Sequence, residues 1–404
     1  MTNTHLSRAA LRAEPDAMAP LFTLLGQQVE TFKATGSEFM ASMAVGTPDN
    51  TMLPKDLYIQ LTKQVVENDP SILNYKPPQG LPSLRAAMAD MLTKQGVTGC
   101  TPENILITNG GMEAISFGAL MTANADDTVL VEGPGYAGAL GLFGLMGLNV
   151  IQLPMSEEGV TPDVIEAAIK QHRPALISLM PDYQNPTGAV MSIENRKLIA
   201  SLLKKYDIIA LEDGAYSQLT IEGDALPPLQ SFAPEHVLYA TSVSKIFAPG
   251  MRIGALVAPK AVLDAAANTK SIINMQASAP AQAVVAAFLD SNNEHFEVHL
   301  THLRHTYRAR RDAMIAALEK YFPADAFTWT HPKGGMFLWL SGPETINFTV
   351  LFDNALKNGV AYVPGSKFYE DPIAHNSARL NFASTPEDKV DEAVRRLAMT
   401  VGLL

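Results

Sequence analysis

Seven short runs of aliphatic and β-branched residues dominate the middle of this sequence, longer helical patterns lying between them and the seventh following closely after a turn. They are Ile105–Thr108, Thr128–Val131, Asn149–Gln152, Ala175–Leu179, Ile208–Leu211, Val237–Ala240 and Ile253–Ala258. Near-continuous apolar runs of this length read as strands buried on both faces, and the intervening windows, such as Ile193–Lys205, repeat apolar residues at three and four spacings. That alternation builds βαβ units, so the sequence predicts an α/β fold with a mostly parallel seven-stranded sheet.

After residue 290 the texture changes. Asn293–Tyr321 is a long, charged helical pattern, and Met336–Leu340 and Ala378–Phe382 read as strands of a smaller α+β unit, with Trp329 and Trp339 in its core. The expected division is a segment 1–50 that packs on the rest, a large domain 51–290 and a small domain 291–404.

Several function classes are excluded by composition. With 30 Lys and Arg against 41 Asp and Glu the net charge is −11, and the densest basic run, Arg308–Arg311, is followed by Asp312, so no nucleic-acid partner is expected. The single cysteine, Cys100, excludes an intramolecular disulfide and a Cys-built metal centre, and it suits a reducing compartment. Residues 1–21 hold no uninterrupted apolar stretch of the signal-peptide kind, which makes the cytoplasm the expected location. Residues 133–156 carry no charge, but their six glycines and two prolines fit a turn, a helix and a strand better than a membrane span.

Chemistry concentrates in loops that follow the expected strands. Ser242-Val243-Ser244-Lys245, with Arg252 seven positions after the lysine, has the makings of a Schiff-base lysine beside an anion clamp. Taken alone it reads equally well as a surface lysine in a Ser-rich loop. Met180–Gly188 contains Asn185-Pro186, an ordinary turn in isolation, and Glu212–Tyr216 contains Asp213, which in isolation could be a helix cap. Thr108-Asn109-Gly110-Gly111-Met112 joins a strand to a helix and offers backbone N–H groups to an anion, but its glycine spacing matches neither a dinucleotide nor a nucleoside-triphosphate loop. In an open parallel sheet such loops meet at the carboxyl ends of the strands.

Together these segments resemble the class I/II aminotransferases that use pyridoxal 5′-phosphate (PLP), of the PLP-transferase fold type I. The matching segments are Tyr75–Arg85, Gly110–Met112, Glu132–Tyr136, Asn185–Gly188, Asp213 with Tyr216, Ser242–Arg252, and Arg379 within Ala378–Phe382. The Lys-to-Arg step through Pro249-Gly250 is most similar to the 2-aminoadipate, kynurenine and aromatic aminotransferase branch.

The resemblance implies that Lys245 binds PLP covalently and then shuttles a proton, that Asp213 pairs with the pyridine nitrogen, and that Tyr216 and Asn185 hydrogen-bond the phenolic oxygen. It implies that Tyr136 stacks on the ring and that Ser242, Arg252 and the backbone around Gly111 and Met112 bind the phosphate. Tyr75 is expected to reach a second subunit's site in a homodimer. Arg379 is expected to hold the substrate α-carboxylate, helped by Asn185 and backbone near Gly46. Two departures stand out: Gly111 and Met112 replace the hydroxyl and amide often found in the phosphate loop, and Thr241 replaces a frequent glycine. Ser244 is expected to pack.

The implied reaction is transamination from an L-amino acid to a 2-oxo acid, 2-oxoglutarate being the expected acceptor. The pocket, expected near Leu21–Leu25, Gly46–Pro54 and the partner's Tyr75, is apolar and favours aromatic, branched or 2-aminoadipate-like donors. The same lysine, aspartate and arginine also serve PLP lyases, oxidases and cyclases. A sensing module behind a DNA-binding domain would need a longer, basic N-terminal region. His295, His299, His302 and His305 share one side of the long helix, yet no carboxylate completes a zinc motif, so an interdomain face and no metal is the expectation.

Overall fold

The computed structural model describes residues 41–371 and 373–404. It begins with β1 (Ala41–Ser42), α1 (Lys55–Asn68) and α2 (Pro82–Lys94). Seven strands then alternate with helices: β2 (Ile105–Thr108), α3 (Gly111–Thr122), β3 (Thr128–Gly133), α4 (Ala137–Met146), β4 (Asn149–Pro154), α5 (Pro162–His172), β5 (Leu176–Leu179), α6 (Ile193–Tyr206), β6 (Ile209–Asp213), β7 (Val237–Ser242) and β8 (Gly254–Val257). These strands form one sheet in the order β2-β8-β7-β6-β5-β3-β4. Every pairing is parallel except those of β8, which runs antiparallel to both β2 and β7.

The strands are apolar because both faces are covered. Val129 and Val131 pack with Ile115 and Phe117 of α3 and Phe143 of α4, whereas Leu130 between them packs with Ile165 and Ile169 of α5 and Ile199 and Leu203 of α6. Period-two alternation thus divides one strand between two cores. Ser192 starts α6 by accepting the Asn195 N–H (3.4 Å).

The chain continues through α7 (Lys260–Ile273), α8 (Ala279–Leu289), α9 (His295–Tyr321), β9 (Thr328–Trp329), β10 (Phe337–Ser341), α10 (Phe348–Lys357), β11 (Val360–Ala361), β12 (Val363–Pro364), β13 (Ser377–Asn381) and α11 (Glu387–Thr400). A four-stranded antiparallel sheet, β12-β13-β10-β9, places Trp339 opposite Arg379. Both tryptophans are half-buried against the apolar core around it. Val360–Ala361 pairs instead with β1, which ties residues 41–42 to the later part of the chain.

The uncharged stretch 133–156 forms a turn, α4 and β4, and no helix among the described residues is long and apolar enough to cross a membrane. On α9, His302 and His305 are exposed while His299 is largely buried against Phe288, and burial pulls its imidazole down to about 4. Among the described residues no three His, Cys, Asp or Glu side chains are placed to share a metal ion.

Candidate active site

The carboxyl ends of β2, β3, β5, β6 and β7 open onto a cavity of about 340 Å³. Its lining includes Gly46, Gly111, Met112, Tyr136, Asn185, Asp213, Tyr216, Ser242, Lys245, Arg252 and Arg379. Every site residue singled out in the sequence is therefore present except Tyr75, which is 75% exposed and lies outside this cavity. Of the expected pocket, Leu21–Leu25 fall outside the described residues, and of the Gly46–Pro54 loop only Gly46 and Thr47 reach the lining.

Arg252 reaches the crevice because β8 is reversed. Gly254, where β8 begins, pairs with both Thr108 and Ser242, the last residues of β2 and β7. Two residues upstream, Arg252 (φ +51°) turns its guanidinium onto Asn109 O, 3.3 Å away. Gly110 (φ +79°) lies beneath it, and a Cβ there would collide with Arg252 Nη2. Gly110 makes no side-chain cap, so the first N–H groups of α3 face the same crevice as Arg252 and Ser242.

Ser242 Oγ donates to Ser244 Oγ (2.8 Å) and accepts the Ser244 N–H (3.1 Å). Ser244 also lines the cavity, so this hydroxyl does more than pack: it orients Ser242. Beneath the α3 terminus, Glu113 accepts the Asn109 N–H (2.8 Å) and pairs with Lys270 (2.5 Å), whose side chain is fully buried. This support escaped sequence reasoning because Lys270 lies in an otherwise ordinary helical pattern 157 residues away.

Lys245 Nζ donates to Gly46 O at 2.6 Å. Burial, reinforced by Arg379 and Arg252, pulls its pKa down to about 8 despite the opposing charge of Asp213. Asp213 is pushed up to about 6 by burial, against the Ala215 N–H that its Oδ1 accepts (3.0 Å) and against Lys245. The Tyr216 phenol is also raised by burial, while a hydrogen bond with Asn185 opposes the rise.

Arg379 is 2% exposed. Its Nη1 donates to Asn185 Oδ1 (2.8 Å) and its Nη2 to Ala44 O (2.5 Å), while Nε is buried without a partner among the described residues. The guanidinium lies 4.1 Å from the Phe337 ring centre and 5.1 Å from that of Phe368. Burial lowers its pKa to about 10, where it stays charged. Two neighbouring carbonyls thus serve the two cations: Gly46 O accepts from Lys245 and Ala44 O from Arg379. Phe337 also meets Tyr216 edge-on, with ring centres 5.6 Å apart. The sequence marked its run only as a strand.

These groups fit PLP. A lysine whose pKa burial pulls down to about 8, the carboxyl of Asp213, an aromatic ring at Tyr136, and Arg252 and Ser242 beside the N-terminal residues of α3 converge on one cavity. Fold and site define a PLP-dependent enzyme of fold type I.

The chain belongs to the aminotransferase class I and II family, which it matches over residues 43–397. It is 30% identical to aromatic-amino-acid aminotransferase 1 of Thermococcus litoralis, over 92% of this chain and 90% of that one. It is 32% identical to the 2-aminoadipate transaminase of Thermus thermophilus, over 93% and 94% of the two chains. The kynurenine aminotransferase of Pyrococcus horikoshii, solved in complex with PMP, superposes with a TM-score of 0.89 at 31% identity, over 98% of this chain and 96% of that one. The protein is accordingly a PLP-dependent aminotransferase.

Proposed function

We propose that this enzyme moves the α-amino group of an L-amino acid with an aromatic, branched or 2-aminoadipate-like side chain to a 2-oxo acid, with 2-oxoglutarate as acceptor. The observation that carries this reading is the pairing, in one cavity, of a lysine held near neutrality with a buried, charged arginine. The names of the aromatic and 2-aminoadipate relatives support the donor class.

PLP, when bound, supplies a carbonyl carbon for amine capture and a ring that accepts the electron pair released at the substrate Cα. In this reading Lys245 Nζ would hold the cofactor and, as the free amine, would be the base that moves the substrate Cα proton. Asp213 keeps the ring nitrogen protonated, and Tyr216 and Asn185 donate to the phenolic oxygen. Tyr136 covers the ring. Ser242, Arg252 and the N–H groups of Gly111 and Met112 hold the phosphate, and Arg379 with Asn185 grips the α-carboxylate.

The proposed assembly is a cytoplasmic homodimer in which Tyr75 completes the partner's phosphate site; its ring stands exposed on the single chain. The division into a large domain 51–290 and a small domain 291–404 belongs to the same reading, as does the absence of nucleic-acid and membrane partners.

A panel of amino donors with 2-oxoglutarate held fixed tests substrate choice: glutamate should form, fastest with aromatic or 2-aminoadipate donors. Persistent loss of the amino group without glutamate formation would favour a lyase or oxidase. Mixing Lys245→Ala and Tyr75→Phe chains tests the dimer, because one site of each mixed dimer carries neither change. Activity no greater than the sum of the two variants would overturn it.

A further inference from the structure

Residues 45–47 line the active-site cavity, yet the stretch 44–47 belongs to no helix or strand. Among the described residues its backbone makes no hydrogen bond with other backbone groups. A loop without ladder bonds takes its position from side chains, and here three of them hold all four carbonyl oxygens. Arg379 Nη2 donates to Ala44 O (2.5 Å) and Lys245 Nζ to Gly46 O (2.6 Å). Asn381 Nδ2 donates to both Val45 O and Thr47 O, the latter at 3.3 Å.

Asn381 is fully buried and does not itself line the cavity. It ends β13 two residues after Arg379, so both side chains leave the same face of the strand. Its backbone N–H donates to Met43 O (2.7 Å), just ahead of the stretch, and its Oδ1 accepts the Ala383 N–H (2.8 Å). That second bond fixes which way the amide faces, and the two protons on Nδ2 match the two carbonyls. Farther along, Asp49 pairs with Arg310 (2.8 Å). A Cβ on Gly46 would come within 3.1 Å of Phe337 Cζ, so this wall sits directly on the ring that Arg379 stacks against.

The three side chains differ in what the reaction asks of them. In the proposed function Lys245 leaves Gly46 O to hold the cofactor, and Arg379 gives its fork to the substrate α-carboxylate. Asn381 is free of such demands, because its amide is spent wholly inside the fold. We propose that Asn381 is a positioning residue, which keeps the 44–47 wall in place while the two cations are engaged elsewhere and so sets the surface that the donor side chain meets. This rests on the roles proposed above for Lys245 and Arg379.

Native-state proteolysis with thermolysin, which cuts before apolar residues, reads the wall at the Ala44–Val45 bond. Asn381→Ser keeps an acceptor for the Ala383 N–H but loses both long donors. With PLP loaded, N381S should be cut there faster than wild type by about tenfold or more, since cleavage follows the population of the open segment. The two apoproteins should differ by about threefold at most, because Lys245 still holds Gly46 O. Adding Lys245→Met to apo N381S should restore the fast rate with no cofactor present. An apo N381S/K245M chain cut no faster than apo K245M would overturn the proposal. Fast cleavage of that chain, with slow cleavage of PLP-loaded N381S, would support the wall assignment and count against the covalent role of Lys245.

The donor panel gives a second reading. In N381S the donor KM should rise about tenfold with kcat within about threefold of wild type, the mark of binding lost equally before and in the transition state. A lowered kcat at unchanged KM would overturn the positioning role. Asn381→Asp keeps the shape and the Ala383 contact, but as a carboxylate it offers Val45 O and Thr47 O no proton, so N381D carries both readings if N381S does not fold.

Discussion

The Lys245 side-chain nitrogen rests 2.6 Å from the carbonyl oxygen of Gly46, close enough for a hydrogen bond that the neutral amine can also donate. Its pKa of about 8 makes it reactive near physiological pH. The rate at which the apoprotein captures PLP should rise about tenfold per pH unit up to pH ~8 and then level off, because only the unprotonated amine attacks. Stopped-flow absorbance over pH 6–10 reads this directly. A flat profile would contradict it, and Lys245→Ala should abolish the absorbance change that follows PLP addition.

Stability should carry matching signatures. Between about pH 8 and the ordinary lysine value of 10.5, the unfolded chain binds a proton at Lys245 that the folded chain has lost, so this lysine adds stability as pH rises. Asp213 acts in the opposite direction lower down: between 3.8 and about 6 the folded chain holds the proton, and stability falls as pH rises. Melting curves of the apoprotein against Lys245→Met and Asp213→Asn isolate the two slopes.

Arg379 combines two hydrogen bonds with two aromatic faces. Arg379→Lys keeps the charge but loses the planar fork, and the donor KM should rise about 100-fold with the PLP spectrum retained. Phe337→Leu removes the stacked face, worth about 0.5–2 kcal/mol, and should raise KM about tenfold. Equal KM values for F337L and wild type would show that the ring does not position the guanidinium.

Gly110→Ala should weaken PLP retention by about tenfold or more, because the added methyl must displace Arg252 and sit at a positive φ. Arg252→Gln should do the same through loss of charge. If both act on one contact, the double variant should be little worse than the worse single one, as equilibrium dialysis of PLP would show.

Lys270→Met leaves Glu113 without its buried cation and should cost about 3–5 kcal/mol of stability. The double variant with Glu113→Gln should recover part of that loss, and denaturant unfolding measures both. An unchanged midpoint in K270M would mean that the pair does not brace the phosphate loop.

Much of this site was legible because its chemistry sits where strands end. The aliphatic runs located β2 to β8, and Lys245, Asp213 and Asn185 followed at their carboxyl ends. Hidden from the sequence were relationships between distant segments: Ala44 reaching Arg379, Phe337 lying beneath it, and Lys270 beneath Glu113. No local spacing records such contacts, since each partner has a sufficient reason to be apolar or helical on its own. The role of Ser244 was missed because a hydroxyl that packs and one that orients a neighbour are the same letter. The strand Ala41–Ser42 was invisible for a related reason, as two residues pair only because Val360–Ala361 arrives beside them.

The reversal of β8 couples two tolerances that would otherwise be independent. Lys245 and Arg252 stand on a single return loop between adjacent antiparallel strands, so any insertion, deletion or shift there moves both side chains together. In the proposed function the span from lysine to arginine would serve as a fixed ruler for the length of the cofactor, leaving walls such as Val45–Thr47 to vary with the substrate.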